Sequence, residues 1–339
     1  MQRFATAKKE LMANDAAKRI FGAIESEMQL VEAEFERQAS SNIQVINYLG
    51  EYLSASGGKR VRPALLILAT KAVGWDGASD GTIRLATVIE MLHTATLVHD
   101  DIIDNADLRR GRSSINSRFG NQTAVLMGDW LYMSAFETSL KERSLEILDI
   151  LTVLTRKMTE GELIQLTAIG RLDITEGEYF DILERKTAFL FSACCEIGGI
   201  LGGANSIHQA ALKEYGLNLG VAFQLVDDIL DVTQDTTVLG KAAGSDVLEG
   251  KLTLPLIYLI QMEPSLLPLI EKVMLSGNYD AITRDEIYTK IAHHGIIDRL
   301  RERIQDHSIA AIKSLDVLPK SEYRSCLEAV LNYITERNK

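Results

Sequence analysis

Proline and cysteine are both scarce in this 339-residue chain, and each shortage narrows what the chain can be. The five prolines leave the stretch from Ala64 to Leu254 with none, so long uninterrupted helices are permitted there. The three cysteines, Cys194, Cys195 and Cys326, have no metal-ligand spacing. Such sparse usage, with two of them in an apolar stretch, predicts buried thiols and a reducing, cytoplasmic location.

Basic tracts, long apolar runs and linker-like segments are also missing. The chain carries 47 acidic against 36 basic residues, a formal charge of −11, so nucleic acid is not an expected partner. Residues 1–24 lack the apolar core of a signal peptide, and no apolar run is long enough to predict a membrane span. Because no Gly/Ser-rich linker divides the sequence, residues 1–339 are predicted to form a single domain.

What the chain does have is apolar helical periodicity. Apolar residues recur three and four positions apart, as at Leu85, Val88, Ile89 and Leu92, whereas alternating strand patterns are scarce. Apolar residues make up 46% of the chain, which is ample for a core. The predicted fold class is therefore all-α.

Two copies of one carboxylate cluster stand out, and each reads D-D-x-x-D behind an apolar, helix-like run. On a helix, residues four apart lie on one face, about 6 Å apart along the axis, so the outer aspartates of each copy point the same way. A lone copy would be interpreted as a solvated helix end, but two copies favour a site. The six residues are Asp100, Asp101, Asp104, Asp227, Asp228 and Asp231.

The chemistry of these clusters predicts a hard metal ion. Three like charges within five residues repel one another and weaken a helix unless cations neutralise them. Oxygen ligands without a neighbouring Cys or His pair suit Mg²⁺ before Ca²⁺, and Mg²⁺ is usually held by one or two carboxylates plus substrate phosphates. Two such clusters facing each other would therefore hold a polyphosphate.

Glycines and basic residues that could bind the same polyphosphate occur in several places. The segment Gly57–Pro63 carries two glycines and three cations ahead of an apolar run, which favours an anion site over an ordinary turn. A polar, glycine-spaced segment from Gly240 to Lys251 is interpreted as a mobile flap whose lysines close over phosphate. The other candidates are Arg109 and Arg110 after the first cluster, Lys186 and Thr187 within an apolar helix, and Gln224 before the second cluster.

Taken together, these motifs resemble the trans (E-type) isoprenyl diphosphate synthases, most closely the long-chain, octaprenyl-type polyprenyl diphosphate synthases. The resemblance runs from about Gly57 to Pro255, in order and in spacing. It implies a single-domain, isoprenoid-synthase-type helical bundle around a central active-site cavity. It also implies a C2 homodimer, three Mg²⁺ ions per active site, and two substrates, isopentenyl diphosphate and an allylic diphosphate.

The resemblance also assigns roles to residues. It implies that Asp100, Asp104 and Asp227 carry the metal ions and that Asp101, Asp228 and Asp231 support them. The residues expected to bind isopentenyl diphosphate are Gly58, Lys59, Arg62, His93 and Arg110. Those expected to bind the allylic diphosphate are Arg109, Lys186, Lys241 and Lys251.

The implied reaction ionises the allylic diphosphate, adds the alkene of isopentenyl diphosphate to the resulting cation, and then loses a proton. The Thr187 hydroxyl, the Lys186 carbonyl, the Gln224 amide oxygen and the Phe223 ring are the electron-rich groups expected to face the cation. The released diphosphate is expected to take the proton, so no protein base is assigned. Flap closure would exclude water.

Product length depends on the residues that line the path of the growing chain. Ala95 and Thr96, five and four residues before Asp100, are small, whereas short-chain members of the family carry bulky aromatics there. We therefore predict a product of C30 to C50, with C40 favoured, of the kind that becomes a quinone side chain. Small residues here could instead serve close helix packing, and a deeper floor at Phe136, Met133 or Tyr132 could still impose C20. An apolar product of this length also suggests transient membrane contact during release.

Three other functions remain to be distinguished. A C20 (geranylgeranyl) diphosphate synthase would share every motif. A terpene cyclase would carry an Asn/Asp-x-x-Ser/Thr-x-x-x-Glu motif in place of Asp227–Asp231 and would not need the Gly57–Pro63 loop. A non-catalytic partner subunit of a heteromeric prenyl synthase would have lost acidic-motif residues, whereas this chain keeps all six. A di-iron bundle fails because only His93 follows a Glu at the required three-residue spacing.

Overall fold

The structure is a computed structural model that describes residues 15–55, 57–74, 79–109, 111–233 and 244–335. In these residues the only strands are β1 Leu108–Arg109 and β2 Arg112–Ser113, which pair as an antiparallel hairpin. The predicted all-α class is confirmed. The helices are α1 Asp15–Gly22, α2 Glu25–Gln38, α3 Gln44–Ser54, α4 Val61–Ala72, α5 Asp80–Ile103, α6 Ile115–Phe119, α7 Asn121–Ser139, α8 Leu145–Ala168, α9 Glu176–Leu183, α10 Phe189–Leu201, α11 Ser206–Thr233, α12 Ser245–Leu248, α13 Leu254–Met262, α14 Leu267–Ser276, α15 Arg284–His293, α16 Ile296–Ser314 and α17 Glu322–Thr335.

The chain divides into two compact units. Unit 1 comprises Met1–Thr152, Phe191–Tyr215 and Ser314–Tyr333, and unit 2 comprises Val153–Leu190, Gly216–Lys313 and Ile334–Lys339. The first carboxylate cluster belongs to unit 1 and the second to unit 2. The single domain expected from the sequence stays a prediction. Among the described residues, no helix is both long and apolar enough to cross a bilayer.

The core of unit 1 is built around α4, in which every residue from Pro63 to Ala72 is buried. Helix α10 approaches it closely through two glycines four residues apart. A Cβ at Gly198 would lie 2.4 Å from the carbonyl oxygen of Leu66, and one at Gly202 would lie 2.5 Å from that of Thr70. The glycine-rich segment 198–203 is thus a close helix contact in its first part and a helix end in its second.

Helix α5 carries the first cluster in its last turn and packs along α7. It begins at a Ser79 cap, whose hydroxyl accepts a hydrogen bond from the backbone N–H of Thr82 at 3.1 Å. The hairpin that follows is anchored by Tyr52 of α3, whose hydroxyl donates to the carbonyl oxygen of Ser113 at 2.7 Å. The hairpin therefore brings the chain back beside the end of α5.

Unit 2 has a core of aliphatic residues from α11, α13, α15 and α16. Helix α13 begins after the N-cap residue Thr253, has Pro255 in its first turn, and is buried from Leu254 to Ile260. Helix α9 starts with a full capping box, in which Thr175 and Glu178 satisfy each other's backbone N–H groups. Beyond α9 the helix widens into a π-helical segment, Glu184–Ala188, before continuing as α10.

Candidate active site

The first cluster lies at the C-terminal end of α5, as predicted. The backbone N–H of Asp104 bonds the carbonyl oxygen of Asp100 at 2.8 Å, so the last turn holds these two residues four apart on the helix. Asp104 is exposed, whereas Asp101 is buried and accepts from both Nε and Nη2 of Arg109 at 2.6 Å. Burial raises the pKa of Asp101, Arg109 opposes this, and Asp104 adds to it.

Neutral groups fix the chain just beyond this cluster. The Asn116 side-chain amide donates to the carbonyl oxygens of Asp101 at 3.1 Å and Ala106 at 3.2 Å. The Ser114 hydroxyl donates to the same Ala106 oxygen at 2.5 Å. Because these bonds tie the hairpin to the end of α5, Arg109 is held beside Asp101. The sequence carried no signal for Asn116, which has no motif of its own.

The glycine loop separates its three cations. Gly57 has φ of 68° and Arg60 has φ of 50°, so the backbone turns twice through the left-handed region. Arg60 is buried, Lys59 is exposed, and Arg62 is half-buried. Arg62 Nη1 lies 3.0 Å from His93 Nε2, and its guanidinium lies 4.9 Å from the centre of the Phe191 ring. The structure thus brings together Arg62 and His93, which the resemblance had placed in one group.

A cavity of about 50 Å³ within unit 1 connects the loop with the first cluster. Gly57, Arg60 and Glu90 line it together with Asp101 and Arg109. Gly58 and Lys59 belong to the same loop and come directly before Arg60 in the sequence. Arg110, expected to bind isopentenyl diphosphate, lies outside the described residues.

The second cluster lies within the last two turns of α11, again on a helix as predicted. Asp228 is buried and accepts two hydrogen bonds, from the Tyr179 hydroxyl at 2.5 Å and from the Gln224 amide at 3.0 Å. Asp231 is also buried, and its Oδ1 lies 3.5 Å from the Ser245 hydroxyl. Burial, then the neighbouring charges of Asp246 and Asp227, raise the pKa of Asp228 to about 7, against the effect of the two donors.

Thr187 joins this network from the π-helical segment. Its hydroxyl donates to the Gln224 amide oxygen at 3.0 Å, so a continuous chain of hydrogen bonds links Thr187, Gln224, Asp228 and Tyr179. Because ionised Asp228 can only accept, the Gln224 amide must turn its NH₂ toward Asp228 and its oxygen toward Thr187. Phe223, the preceding residue of α11, is half-buried. Thr187 and Gln224, which the sequence analysis placed in one group, are therefore in direct contact.

The π-helical segment depends on a glycine of α8. A Cβ at Gly161 would lie 2.7 Å from the Arg185 Cβ and 3.2 Å from the Lys186 backbone nitrogen. The wider turn therefore lies so close to α8 that a residue with a side chain would not fit at position 161. Single π-helical turns occur frequently at functional sites. Nothing in the sequence indicated this turn.

The cations expected to bind the allylic diphosphate are held by acidic partners. Lys186 Nζ contacts Glu162 at 2.7 Å and also donates to Gln165, both on α8. Lys251 Nζ contacts Glu249 at 2.7 Å, and its backbone N–H donates to the Asp246 carbonyl oxygen at 2.8 Å. Lys241 lies outside the described residues.

A cavity of about 190 Å³ within unit 2 is lined by Lys186, Thr187, Gln224, Asp228 and Lys251. Its remaining wall is mostly apolar, with Tyr179 and Gln165 as further polar groups. Asp246 also lines this cavity, and sequence analysis missed it. A signal was present, since Asp246 stands five residues before Lys251 in a segment from which only the lysines were selected.

The donor chemistry of both clusters fits a hard divalent cation. In the part of the chain that the structure describes, no three Asp, Glu, His or Cys side chains already form a metal cage. Mg²⁺ is usually held by one or two carboxylates and completes its shell with phosphate oxygens and water. The raised pKa values of Asp101 and Asp228 indicate negative charge that nearby protein groups do not fully balance. An added cation would supply that balance.

The residues expected to set chain length lie on α5 and α7. Ala95 is fully buried, and the Thr96 hydroxyl donates to the carbonyl oxygen of His93 at 2.8 Å. Phe136 is half-buried on α7, Met133 is exposed, and Tyr132 stacks on His99 with ring centres 5.9 Å apart. Since α5 and α7 pack together, small residues on α5 also serve helix packing. The choice among the three floor residues stays open.

Comparison with known proteins adds the family. Residues 43–290 match the polyprenyl synthetase family model. The chain is 35% identical to octaprenyl diphosphate synthase of Haemophilus influenzae over 98% of this chain and 99% of that protein. It is 37% identical to octaprenyl diphosphate synthase of Escherichia coli over 92% of this chain and 96% of that protein.

A solved structure is similar over nearly the whole chain. The polyprenyl synthase of Caulobacter crescentus, in complex with calcium and isoprenyl diphosphate, matches with a TM-score of 0.89 and 34% identity. The match covers 95% of this chain and 98% of that one. The chain belongs to the polyprenyl synthetase family. The family resemblance, the isoprenoid-synthase fold and the enzyme class expected from the motifs, a polyprenyl diphosphate synthase, are thereby confirmed.

Proposed function

We propose that this enzyme adds isopentenyl diphosphate units head-to-tail to an allylic diphosphate, farnesyl or geranylgeranyl, and releases an all-trans product of C30 to C50, with C40 favoured. The observation that carries the proposal is the pair of D-D-x-x-D clusters, each in the last turns of a long helix. In each cluster the middle aspartate is buried and hydrogen-bonded, so the outer carboxylates are presented on a fixed base.

Three of the four outer aspartates are the proposed metal ligands. Asp100, Asp104 and Asp227 would bind three Mg²⁺ ions, with Asp101, Asp228 and Asp231 supporting them from buried positions. The bound ions would neutralise the charge that develops on diphosphate as the allylic bond breaks. The supporting aspartates already have their own donors, Arg109 for Asp101 and Tyr179 with Gln224 for Asp228.

Separate groups of cations are proposed for the two substrates. Gly58, Lys59, Arg62, His93 and Arg110 would bind isopentenyl diphosphate without metal. Arg109, Lys186, Lys241 and Lys251 would bind the allylic diphosphate, and the carboxylates that now hold Lys186 and Lys251 would be exchanged for phosphate oxygens. Holding each diphosphate by its own cations orients the alkene toward the reacting carbon.

The cation formed by ionisation needs electron-rich neighbours that are not strong nucleophiles. The Thr187 hydroxyl donates its proton to Gln224, so its lone pairs remain available to the cation. The Lys186 carbonyl, the Gln224 amide oxygen and the Phe223 ring complete this proposed lining. The proton lost in the last step would pass to the released diphosphate. The flap that carries Lys241 and Lys251 would exclude water.

The favoured length of C40 rests on two observations. Ala95 and Thr96 are small, and Ala95 is fully buried on the helix that ends at Asp100. Two relatives that match along almost the whole chain carry the name octaprenyl diphosphate synthase, an eight-unit product. Phe136, Met133 and Tyr132 remain the candidates for a deeper floor. Transient membrane contact is proposed for the release of so apolar a product.

A C2 homodimer is the proposed assembly. Helix α7 and the residue directly after it present exposed apolar side chains: Leu126, Met133 and Leu140 recur at seven-residue intervals, with Val125 next to Leu126. An apolar stripe of this spacing is typical of a helix that packs against another helix. Light scattering at micromolar concentration would test this, and a monomer would count against it.

The function is tested by assaying the purified chain alone. Farnesyl diphosphate and radiolabelled isopentenyl diphosphate are supplied with Mg²⁺, and the hydrolysed product is separated by chromatography. We expect a labelled product of C30 to C50. A C20 product would indicate a geranylgeranyl diphosphate synthase, cyclised hydrocarbon from the allylic substrate alone a terpene cyclase, and no product without a second chain a partner subunit.

A further inference from the structure

We propose that Glu32 on α2 and Glu90 on α5 are positioning residues for the isopentenyl diphosphate loop and act through Arg60. The inference rests on the function proposed for that loop. Arg60 is the middle cation of the loop, yet its side chain is only 7% exposed. A guanidinium so deeply buried serves the protein rather than a substrate.

Both sides of the Arg60 guanidinium are bound by carboxylates. Nε lies 2.6 Å from Glu32 Oε1 and Nη2 lies 3.3 Å from Glu32 Oε2, which makes a two-pronged contact. Nη1 lies 2.5 Å from Glu90 Oε1, and the guanidinium carbon lies 5.3 Å from the centre of the Phe35 ring. Paired, forked contacts of this kind fix the direction of an arginine side chain as well as its charge.

The backbone conformation of Arg60 explains why its side chain must be held in place. Arg60 adopts φ of 50° and ψ of 34°, a left-handed conformation that residues other than glycine, asparagine and aspartate adopt rarely. Such a conformation persists only where the surroundings over-determine it. The same residue precedes the first turn of α4, where its carbonyl accepts from the Ala64 N–H at 3.2 Å. Its conformation therefore sets the directions of Lys59 and Arg62.

Helix α5 supports both arginines of the loop from positions three residues apart. Glu90 holds Arg60, and His93 lies 3.0 Å from Arg62. Helix α2 completes the arrangement from outside the motif-bearing region, since Glu32 precedes the residues 43–290 that match the family model. A search of the motifs could not have found Glu32, because Glu32 lies 28 residues before Arg60 and outside every motif.

A second ion pair between α2 and α4 offers a matched control. At the other ends of α2 and α4, Glu27 forms an ion pair with Lys71, and both side chains are 7% exposed. The Lys71 ammonium also lies 4.9 Å from the centre of the Tyr323 ring. Loss of Glu27 therefore weakens the docking of α2 on α4 as loss of Glu32 does, but at a distance from the loop.

The experiment compares Glu32→Gln with Glu27→Gln in the full chain. We expect Glu32→Gln to raise the KM for isopentenyl diphosphate about tenfold, with kcat and the KM for the allylic substrate within twofold of the unaltered enzyme. Glu27→Gln should leave all three within twofold although it lowers Tm. Glu32→Asp, which keeps the charge, should recover most of the affinity. Glu90→Gln should act in the same direction as Glu32→Gln.

Calorimetric titration with isopentenyl diphosphate tests the function proposed for the loop and the positioning role of Glu32 separately. If the unaltered chain does not bind it, the function proposed for the loop is wrong. If the unaltered chain binds and Glu32→Gln binds equally well, only the positioning role is wrong. Equal losses in Glu32→Gln and Glu27→Gln would also overturn the positioning role, because they would indicate general helix docking instead.

Discussion

The two carboxylate clusters have the same sequence pattern but different surroundings. In the first, the buried middle aspartate, Asp101, is paired with a cation, Arg109. In the second, the described groups that donate to the buried middle aspartate, Asp228, are the neutral side chains of Tyr179 and Gln224. The last aspartate is exposed in the first cluster and buried in the second.

The difference shows that one motif can be supported in two electrostatic ways. A cation beside Asp101 offsets part of the cost of burying its charge, whereas Asp228 has no such offset among the donors described here, and its pKa rises to about 7. We therefore expect the second cluster to depend more strongly on an added cation. Five predictions test this difference and its consequences, in order of decreasing effect.

Removal of divalent metal should have the largest effect, because both clusters depend on it. Treatment with EDTA should abolish product formation, and Mg²⁺ should restore it. Mg²⁺ should also raise Tm, since it neutralises like charges that burial holds together. The measurements are product chromatography and thermal unfolding with and without the ion. Undiminished turnover in EDTA would contradict the metal assignment for both clusters.

Loss of an outer aspartate should come next. Asp100→Ala and Asp227→Ala should each lower kcat by roughly 10²- to 10³-fold, because each removes charge stabilisation that is realised mainly in the transition state. Asp107→Asn, an exposed carboxylate beyond the first cluster, should remain close to the unaltered enzyme. Normal turnover in either alanine variant would contradict the model in which both clusters take part in catalysis.

The supporting residues distinguish the clusters directly. Tyr179→Phe should raise the Mg²⁺ concentration needed for half-maximal activity by about tenfold, because it removes a hydrogen-bond donor from Asp228, the buried middle aspartate of the second cluster. Tyr215→Phe provides the matched control, since that buried tyrosine donates to the carbonyl oxygen of Leu327 instead. Activity titrated with Mg²⁺ is the readout. A similar shift in both variants would mean that the effect is on stability alone.

The cations of unit 1 should separate the two substrates. Lys59→Ala and Arg62→Ala should chiefly raise the KM for isopentenyl diphosphate, by about tenfold each, whereas Arg109→Ala should raise that for the allylic diphosphate. Steady-state kinetics with each substrate varied in turn provides the measurement. Equal effects of both sets on both substrates would refute the assignment of separate cation groups.

Substitution of Ala95 should have the smallest effect on the rate but should change the length of the product. Ala95→Phe should shorten the product because the ring would occupy the path beside α5, while Ala95→Ser should leave the length unchanged. Since Ala95 is fully buried, a loss of stability of about 1–3 kcal/mol is expected for the larger residue and must be measured alongside. An unchanged product from a folded Phe variant would remove Ala95 from the path.

Much of the candidate site could be predicted from the sequence because its chemistry is local. Both D-D-x-x-D clusters lie on helices, as predicted. The prediction was possible because apolar periodicity over four or more turns is a reliable signal of a helix. The contact between Arg62 and His93, and the chain from Thr187 to Gln224, agree with groups formed from motifs. The hairpin of β1 and β2 after the first cluster was not predicted.

Other parts of the site depend on residues far apart in sequence. Glu32 and Glu90 meet Arg60 across 28 and 30 residues, and Tyr179 meets Asp228 across 49. The π-helical turn at Glu184–Ala188 exists beside Gly161, a glycine that looks unremarkable within an ordinary helical pattern. No local pattern encodes such pairs, because each partner is a common residue whose role arises only from contact.

The sequence by itself determined the all-α class, the helical position of the carboxylates, and the reaction class that their oxygen-only chemistry and ordered motifs imply. The tertiary structure decided which of these charges are buried and what balances each one. It made Arg60 a buried support and left Lys59 exposed. Among the described residues, it gave Asp101 a cationic donor and Asp228 two neutral ones. The physical reason is that burial and Coulombic pairing depend on distance in space, whereas motif spacing records only distance along the chain.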